Sequence, residues 1–242
     1  MNIRNMIKNA DNLVVYSGIK SKDRVATHGE VYTPEHIVKD MMNMDGIREM
    51  SYELDKTFLE PACGNGNFLV EIIARKLETA AKAKDVKLAV FQAYSTVYGI
   101  DIIADNVAES KMRMLAKILD NDELCERLDK ETVEDKKKLI SAVEFIMDHN
   151  IILGNALDGK KVKDTGESTN EDFDIIEWKL NDDEVIASKQ TFNSIKGANC
   201  AMGHDVANNC PKRFVSGHYL TISTVKCDDN TVSDGNIACD DW

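Results

Sequence analysis

The sequence lacks any run of about 18 apolar residues, and its start, MNIRNMIKNADNLVV, lacks the apolar stretch of a secretion signal. These absences predict a soluble, cytoplasmic protein without a membrane-spanning helix. Basic residues are also few, since 30 Lys and Arg stand against 42 Asp and Glu, for a net charge of -12. Phosphate neutralisation drives nucleic-acid affinity, so this balance disfavours tight, unaided binding to DNA without excluding a local basic groove.

The cysteine pattern lacks the spacing of common zinc sites. The chain has 6 cysteines but no CxxC pair. Four cysteines lie in the last quarter of the chain together with two histidines: Cys200, Cys210, Cys227, Cys239, His204 and His218. We interpret these cysteines as reduced thiols and expect no metal, with zinc coordination as the alternative. Without a secretion signal, disulfides are not expected either.

The hydrophobic pattern predicts an α/β fold, because short apolar runs alternate with segments of helical period. Strands are predicted over residues 57–62, 97–102, 150–157 and 173–178. Helices are predicted over 31–46, from Asn67 onward, over 104–119 and once or twice within 120–148. Such alternation is typical of a parallel sheet covered on both faces. We divide the chain into an N-terminal lead-in (1–30), a main domain (31–185) and a cysteine-containing C-terminal segment (186–242).

The first predicted helix follows the sequence VYTPEHIVKDMMNMDG at residues 31–46. Thr33 is expected to cap this helix, Pro34 to occupy its first position and Gly46 to end it.

A glycine-bearing loop joins the first predicted strand to the helix after it, in the stretch FLEPACGNGNFLVEI at residues 58–72. Glycines at such a junction let the backbone approach a ligand, and the helix start supplies unpaired amides. The loop is not the dinucleotide fingerprint, because Leu69 stands where that motif has a third small residue. No lysine follows it, so it is not a phosphate-binding P-loop either.

Two polar residues mark the ends of the next two predicted strands. Asp101 is placed to accept hydrogen bonds from both ribose hydroxyls, and the Asn155 amide is placed to pair with an adenine edge. The alternatives are a helix cap at Asp101 and a turn residue at Asn155. Open α/β sheets bind ligands at the carboxyl ends of their strands. The combination therefore predicts a nucleoside-bearing ligand.

Four blocks, GEVYTPEHIV, FLEPACGNGNFL, YGIDI and ILGNAL, resemble in this order the N6-adenine DNA methyltransferases of restriction–modification systems. The resemblance runs from about Arg24 to about Trp178. It implies a Rossmann-like methyltransferase fold, S-adenosylmethionine as cofactor and double-stranded DNA with a flipped-out adenine as substrate. It also implies a specificity or restriction subunit as partner.

The resemblance further implies which residues bind the cofactor. Residues 32–34 would close over it, residues 60–67 would surround its methionine portion, and the ends of the second and third strands would hold its ribose and adenine. The residues assigned in this way are Tyr32, Thr33, Pro34, Glu60, Pro61, Ala62, Gly64, Asn65, Gly66, Asn67, Phe68, Asp101, Ile102, Asn155 and Ala156.

The chain departs from this family at the catalytic signature, an Asn or Asp, two prolines and an aromatic residue after the fourth strand. Its 3 prolines are Pro34, Pro61 and Pro211, and none of them is adjacent to another or follows FDII. The signature accepts hydrogen bonds from the adenine amine while its ring stacks on the base. Glu177 and Trp178 offer an acceptor and an aromatic ring in its place. The alternative is a solvated strand-end charge and a ring packed on a helix.

Three functions remain open at this point. The chain is an adenine methyltransferase of DNA, a non-catalytic cofactor-binding subunit, or a methyltransferase of the same fold acting on RNA or protein. The residues beyond the fourth strand are too few both to complete the sheet and to read a target sequence. Either the sheet closes with Tyr219–Val225 and a partner supplies recognition, or the fold is incomplete at its C-terminal end.

Overall fold

The computed structural model describes residues 1–7, 26, 30–198 and 212–224. The helices in these ranges are α1 (Ile3–Met6), α2 (Glu35–Met42), α3 (Ile47–Tyr52), α4 (Asn67–Ala80), α5 (Val86–Ser95), α6 (Ala104–Ala116), α7 (Asp122–Leu128), α8 (Val133–Asn150) and α9 (Phe192–Ala198). The strands are β1 (Phe58–Glu60), β2 (Val97–Asp101), β3 (Ile151–Asn155), β4 (Lys160–Val162), β5 (Ser168–Asp172), β6 (Asp174–Asn181), β7 (Glu184–Thr191) and β8 (Lys212–His218). A 3-10 turn covers Ile222–Thr224.

A five-stranded sheet has the order β1-β2-β3-β4-β5, and its first three strands are parallel. Glu60 pairs with Gly99, and Asp101 pairs with Leu153, so these three strands end at one edge of the sheet. Parallel pairing requires a crossover after each strand, which the intervening helices provide. The short strands β4 and β5 form an antiparallel hairpin that joins β3 only near its end. The predicted α/β fold is confirmed in this coarse form.

Helices cover one face of the parallel strands. The sequence pattern predicts one apolar face on α4, formed by Phe68, Leu69, Ile72, Ile73 and Leu77. The last four of these residues are buried, and Phe68 is partly buried. The close contact of this helix with the sheet depends on Gly99, where an added Cβ would lie 2.6 Å from Leu69 Cδ1. A side chain at this position would therefore push α4 away from β2.

A second sheet, in which β6, β7 and β8 are antiparallel, contacts the opposite face. Side chains alternate between the faces of a strand, and Tyr98 points away from the face that Gly99 presents to α4. The Tyr98 hydroxyl donates a hydrogen bond to the Ile176 carbonyl oxygen of β6 at 2.7 Å. The strand predicted at 173–178 therefore exists as β6, but its expected place as the fourth strand of the parallel sheet was wrong.

Several local predictions are also corrected. Helix α2 begins at Glu35, Pro34 is its N-cap residue rather than its first helical residue, and no side chain caps it. Gly46, with φ 82°, does not end α2 but opens α3. The expected strand at Tyr219–Val225 was wrong as well, because residues 219–224 form turns that follow β8. Residue 225 lies outside the described residues, as does most of the lead-in.

A buried lysine anchors the turn that leads into β1. Lys76 on α4 is fully buried, and its Nζ donates to the carbonyl oxygens of Glu53 at 2.6 Å, Leu54 at 3.3 Å and Lys56 at 2.8 Å. These bonds satisfy carbonyl groups that the turn leaves unpaired. Burial disfavours the charged ammonium and lowers the pKa of Lys76 to about 8.

Within the described ranges, none of the helices combines the length and the apolar character needed to cross a bilayer.

Candidate functional site

The glycine-bearing loop has the backbone conformation that its glycines suggested. Gly64 and Gly66 have φ values of 53° and 86°, in the left-handed region that disfavours other residues. An added Cβ on Gly64 would lie 3.2 Å from the Tyr32 ring, and one on Gly66 would lie 2.8 Å from Ser110 Oγ. Both glycines are therefore required by conformation and by close packing.

The end of β2 is bonded directly to this loop. Asp101 Oδ2 accepts the Gly64 N–H at 2.8 Å, and Oδ1 accepts the Ile103 N–H at 2.9 Å. Asp101 is half-buried, and burial raises the pKa of its carboxyl, with the Glu30 carboxylate acting in the same direction. Hydrogen bonds from the two amides and from Asn106 oppose this rise. The nucleoside prediction rests on the glycine loop, Asp101 and Asn155, and the structure brings the first two of these together.

The segment that contains Tyr32 and Thr33 folds over the loop. The Tyr32 ring is buried against Gly64, and its hydroxyl donates to Glu30 Oε1 at 2.7 Å and lies 2.9 Å from Asn106 Oδ1. The Thr33 carbonyl oxygen accepts a hydrogen bond from Asn67 Nδ2 at 2.8 Å. The expected closure of this segment over the glycine loop is consistent with these contacts, while Pro34 itself is exposed.

Asn155 lies at the same edge of the sheet, two residues beyond Leu153, which pairs with Asp101. Its side chain, however, bonds to residues of the neighbouring turn and hairpin. Its Oδ1 accepts the Leu157 N–H at 3.0 Å, and its Nδ2 donates to Ser168 Oγ at 3.1 Å and to Asp158 Oδ2 at 3.2 Å. These bonds fix the turn between β3 and β4. They favour the turn interpretation over adenine pairing for the Asn155 amide.

The other residues assigned to the cofactor lie at the end of β1, at the start of α4 and directly after β2 and β3. Glu60 Oε1 accepts the Ala62 N–H at 3.2 Å, and Pro61 and Ala62 are exposed. The remaining three, Phe68, Ile102 and Ala156, are partly buried. Ala156 packs with a small cluster that contains the stacked rings of Phe173 and Phe192.

The structure does not bring Glu177 and Trp178 to this edge. Trp178 is 8% exposed, and its indole N–H donates to Asn150 Oδ1 at 2.7 Å. Asn150 directly precedes β3 and lies three residues before Leu153, the residue that pairs with Asp101. Asn150 and Leu153 are therefore about 10 Å apart along the strand. Glu177 is half-buried in the antiparallel sheet, and burial raises the pKa of its carboxyl. This placement favours the packing interpretation of the pair.

Two cavities in the described part of the chain lie away from the glycine loop. One of about 590 Å³ borders the outer edge of β3, where Lys111, Leu153 and Phe173 are among its lining residues. The other, of about 560 Å³, lies between residues 84–87 and 127–131. Neither is lined by Gly64, Asp101 or Asn155. At the loop, Asp101 is instead closed onto Gly64 by the hydrogen bond described above.

One face of α6 supplies site residues that the sequence interpretation missed. Asn106, Glu109, Ser110 and Arg113 follow the spacing i, i+3, i+4, i+7, which places them on one helical face. The first three are buried, and all four bond to the glycine loop or to the residues around it. A polar stripe at this spacing, on a helix that must cover a sheet, is the signal that identifies them.

Thiols and metal ligands add little to the site. The described residues contain no group of three or more His, Cys, Asp or Glu side chains that is able to hold a metal ion. Of the C-terminal ligand candidates, only His218 lies within the described residues, so the prediction about the cysteines is not tested. Cys63, inside the loop, is buried, and burial raises the pKa of its thiol. A raised pKa opposes a nucleophilic role and supports packing.

A comparison with protein families matched residues 20–183 to the family described as N-6 DNA methylase. No curated protein and no solved structure matched the chain. The matched region contains the glycine loop, Asp101, Asn155 and the whole of β6, and it stops before β7. Because the match covers well over half of the chain, the protein belongs to the N-6 DNA methylase family, a family of DNA methyltransferases.

Proposed function

We propose that the protein binds S-adenosylmethionine at the carboxyl edge of β1, β2 and β3 and transfers its methyl group to adenine N6 in DNA. The observation that carries this proposal is the 2.8 Å hydrogen bond between the Gly64 amide and the Asp101 carboxylate, beneath the Tyr32 ring. It joins the ends of two parallel strands in a chain of the N-6 DNA methylase family. A Rossmann-like arrangement of the parallel strands is part of the same proposal.

The residue types at this edge fit such a cofactor, while the loop itself is closed onto Asp101. Gly64 and Gly66 bring the backbone of the loop close to Tyr32 and Ser110, and the methionine portion would lie along this backbone. Two carboxylates, Asp101 and Glu30, lie at this edge, and their ionised forms would attract a sulfonium cation. Asp101 would accept the ribose hydroxyls in place of the Gly64 amide, so cofactor binding would open the loop from its closed form. Ile102 and Ala156 would then flank the adenine, and the bonds of Asn155 would shape the turn beside it.

Methyl transfer also needs acceptors for the hydrogens of the adenine amine. S-adenosylmethionine supplies an electrophilic methyl group, and the protein would hold the flipped base in line with it. Glu177 and Trp178 remain our prediction for the acceptor and the stacking ring. The placement of Trp178 weighs against it, because its ring is bonded to Asn150, about 10 Å along the chain from the residue of β3 that pairs with Asp101.

That placement favours a second candidate function, a non-catalytic subunit that binds the cofactor and acts on a partner. In the first case the protein would serve as the modification component of a restriction–modification system, together with a specificity or restriction subunit. In the second case it would be a regulatory or structural partner of another subunit. The net charge of -12 supports a partner, because unaided binding to DNA calls for a basic surface.

The experiment that separates these functions uses S-adenosylmethionine tritiated on its methyl group. The protein is incubated with the cofactor and with DNA, RNA or protein substrates, alone and with products of neighbouring genes, and binding is followed by calorimetry. Label at adenine N6 of DNA supports the first function. Saturable binding without transfer supports the second, and label in RNA or protein moves the proposal to another substrate. If the protein shows no binding of the cofactor and no transfer of label, the proposal is overturned.

A further inference from the structure

Helix α6 buries a polar face where a helix over a sheet normally buries an apolar one. Asn106 is 1% exposed, Glu109 is 7% exposed and Ser110 is fully buried. Arg113 continues this face one turn further, and burial lowers the pKa of its guanidinium while Glu109 opposes the change. Burying polar groups is costly unless each is hydrogen-bonded. The partners of these side chains therefore indicate what the face is for.

These partners are consecutive residues of the glycine loop. Ser110 Oγ donates to the Gly64 carbonyl oxygen at 3.0 Å, and Asn65 Nδ2 donates to Glu109 Oε1 at 3.0 Å. Arg113 Nη1 donates to the Asn65 carbonyl oxygen at 2.6 Å. Three side chains of one helix thus hold two successive residues of the loop. One of these, Gly64, is the residue whose amide is bonded to Asp101.

The same face also reaches the segment that covers the loop. Arg113 Nη1 makes a second bond, to Asn67 Oδ1 at 2.8 Å, and Asn67 Nδ2 donates to the Thr33 carbonyl oxygen at 2.8 Å. At the other end of the face, Asn106 lies 2.9 Å from the Tyr32 hydroxyl. The loop and its cover therefore meet through α6 as well as through the contact of Tyr32 with Gly64.

We propose that this face of α6 couples the glycine loop to the covering segment, and that Arg113 is the positioning residue that joins them. This inference rests on the proposed function for its consequence, cofactor affinity, but not for the coupling itself. One Arg113 nitrogen bonds to the loop and to the residue that holds Thr33. Removing it releases both segments together. A lysine keeps the charge but lacks the rigid fork of the guanidinium, so Arg113→Lys restores the coupling in part.

The coupling is tested first without cofactor, by amide hydrogen exchange in the full-length protein. Arg113→Met is expected to speed exchange in residues 61–67 and in residues 31–33 together, and Arg113→Lys to give an intermediate increase in both. Arg75→Met is the matched control. Arg75 is also a buried arginine whose Nη1 donates to a backbone carbonyl oxygen, that of Met42, at 2.6 Å. In Arg75→Met, exchange is expected to become faster around residues 42–51 and not in residues 61–67 or 31–33.

The consequence for binding is tested by calorimetry with S-adenosylmethionine. Arg113→Met is expected to raise Kd about tenfold or more, the loss expected for a bond to a charged donor. The Kd of Arg113→Lys should lie between those of Arg113→Met and the wild type. The Kd of Arg75→Met should stay within about twofold of the wild-type value, since the bonds of Arg75 lie outside the loop. If Arg113→Met does not fold, Arg113→Lys carries both tests.

The outcomes separate this inference from the proposed function. A wild type that binds no S-adenosylmethionine overturns the proposed function, while the exchange rates still decide the coupling. The inference is overturned if the wild type binds cofactor and Arg113→Met binds it equally well, with unchanged exchange rates in both segments. Exchange that rises in the loop but not in residues 31–33 overturns it as well.

Discussion

The two sheets of this protein use their polar side chains in opposite ways. At the carboxyl edge of β1, β2 and β3, side chains such as Asp101 and Arg113 bind the backbone of the glycine loop. In the antiparallel sheet of β6, β7 and β8, Trp178 makes its hydrogen bond to Asn150, inside the core and at the other edge of the parallel strands. The first region is arranged around the glycine loop, and the second is arranged for packing.

This difference bears on the missing catalytic signature. In the family that the chain resembles, the signature follows a fourth strand of the same sheet, and here the corresponding stretch turns into β6 of another sheet. A change of sheet moves the residues after that strand away from the edge where β1, β2 and β3 end. The comparison therefore predicts that changes in the first region alter cofactor affinity, whereas changes in the second alter stability.

The largest effect is expected from Trp178→Ala. Removing this buried ring and its bond to Asn150 should lower the free energy of unfolding by about 3–5 kcal/mol, as for other large core residues. The cofactor Kd of the remaining folded protein should stay within about twofold. Urea unfolding followed by circular dichroism measures the first quantity, and calorimetry measures the second. Trp178→Phe, which keeps most of the ring, is the milder control. A Kd that rises without loss of stability would place the ring in the cofactor site and break the comparison.

A pH titration is expected to give the next largest effect, through Lys76. Its pKa is about 8 in the folded protein, against 10.5 for an ordinary lysine, so the unfolded chain binds more protons between these values. The free energy of unfolding should therefore rise with pH across this window, by about 3 kcal/mol for a shift of this size.

Lys76→Met should remove that rise. The quantity to compare is the difference in unfolding free energy between wild type and variant, measured from pH 7.5 to 10.5 by urea unfolding at each pH. Other titrating groups contribute equally to both proteins and cancel in the difference. A difference that does not change with pH would show that the Lys76 ammonium is as stable in the fold as in water.

Asp101→Ala should weaken S-adenosylmethionine binding by about 1–3 kcal/mol, the cost of leaving a buried polar partner unpaired. The variant also frees the Gly64 amide, so calorimetry should be paired with unfolding to confirm that the loss lies in binding. Asp101→Asn, which keeps the shape and one acceptor, should lose less. An unchanged Kd in both variants would remove Asp101 from the site and, with it, the contrast between the two sheets.

The smallest effect is expected from Asn155→Ala. Its side-chain bonds are made at a partly exposed turn, so the loss of stability should be about 1 kcal/mol or less. The cofactor Kd should change by less than about twofold, since its amide already serves the turn between β3 and β4. If binding instead falls as far as in Asp101→Ala, the adenine-pairing role that the sequence suggested is the right one.

The sequence predicted the parallel region well because its signals are local. The switch from a strand to helical period at Asn67 and the glycines before it depend on neighbouring residues, and so does the position of Asp101. Helix α5 was missed because its sequence, VKLAVFQAYS, is apolar on most sides and shows no clear period.

The antiparallel region was predicted poorly because strand pairing is not local. The FDIIEW pattern correctly indicated a strand, yet its partner β7 becomes evident only in three dimensions. Tyr219 was expected to begin a strand, but it follows β8 in a turn and its side chain is buried. The polar face of α6 was missed although its spacing is visible in the sequence, since buried polar residues on a helix resemble solvent-exposed ones until their partners are known.

The most direct test of the account is amide hydrogen exchange of the wild-type protein with and without saturating S-adenosylmethionine. We expect slower exchange in residues 31–33, 61–67 and 101–103 and no change in residues 174–191 of β6 and β7. Protection confined to β6 and β7, or no protection anywhere at a cofactor concentration that calorimetry shows to be saturating, would contradict the placement of the site at the carboxyl edge of the parallel strands.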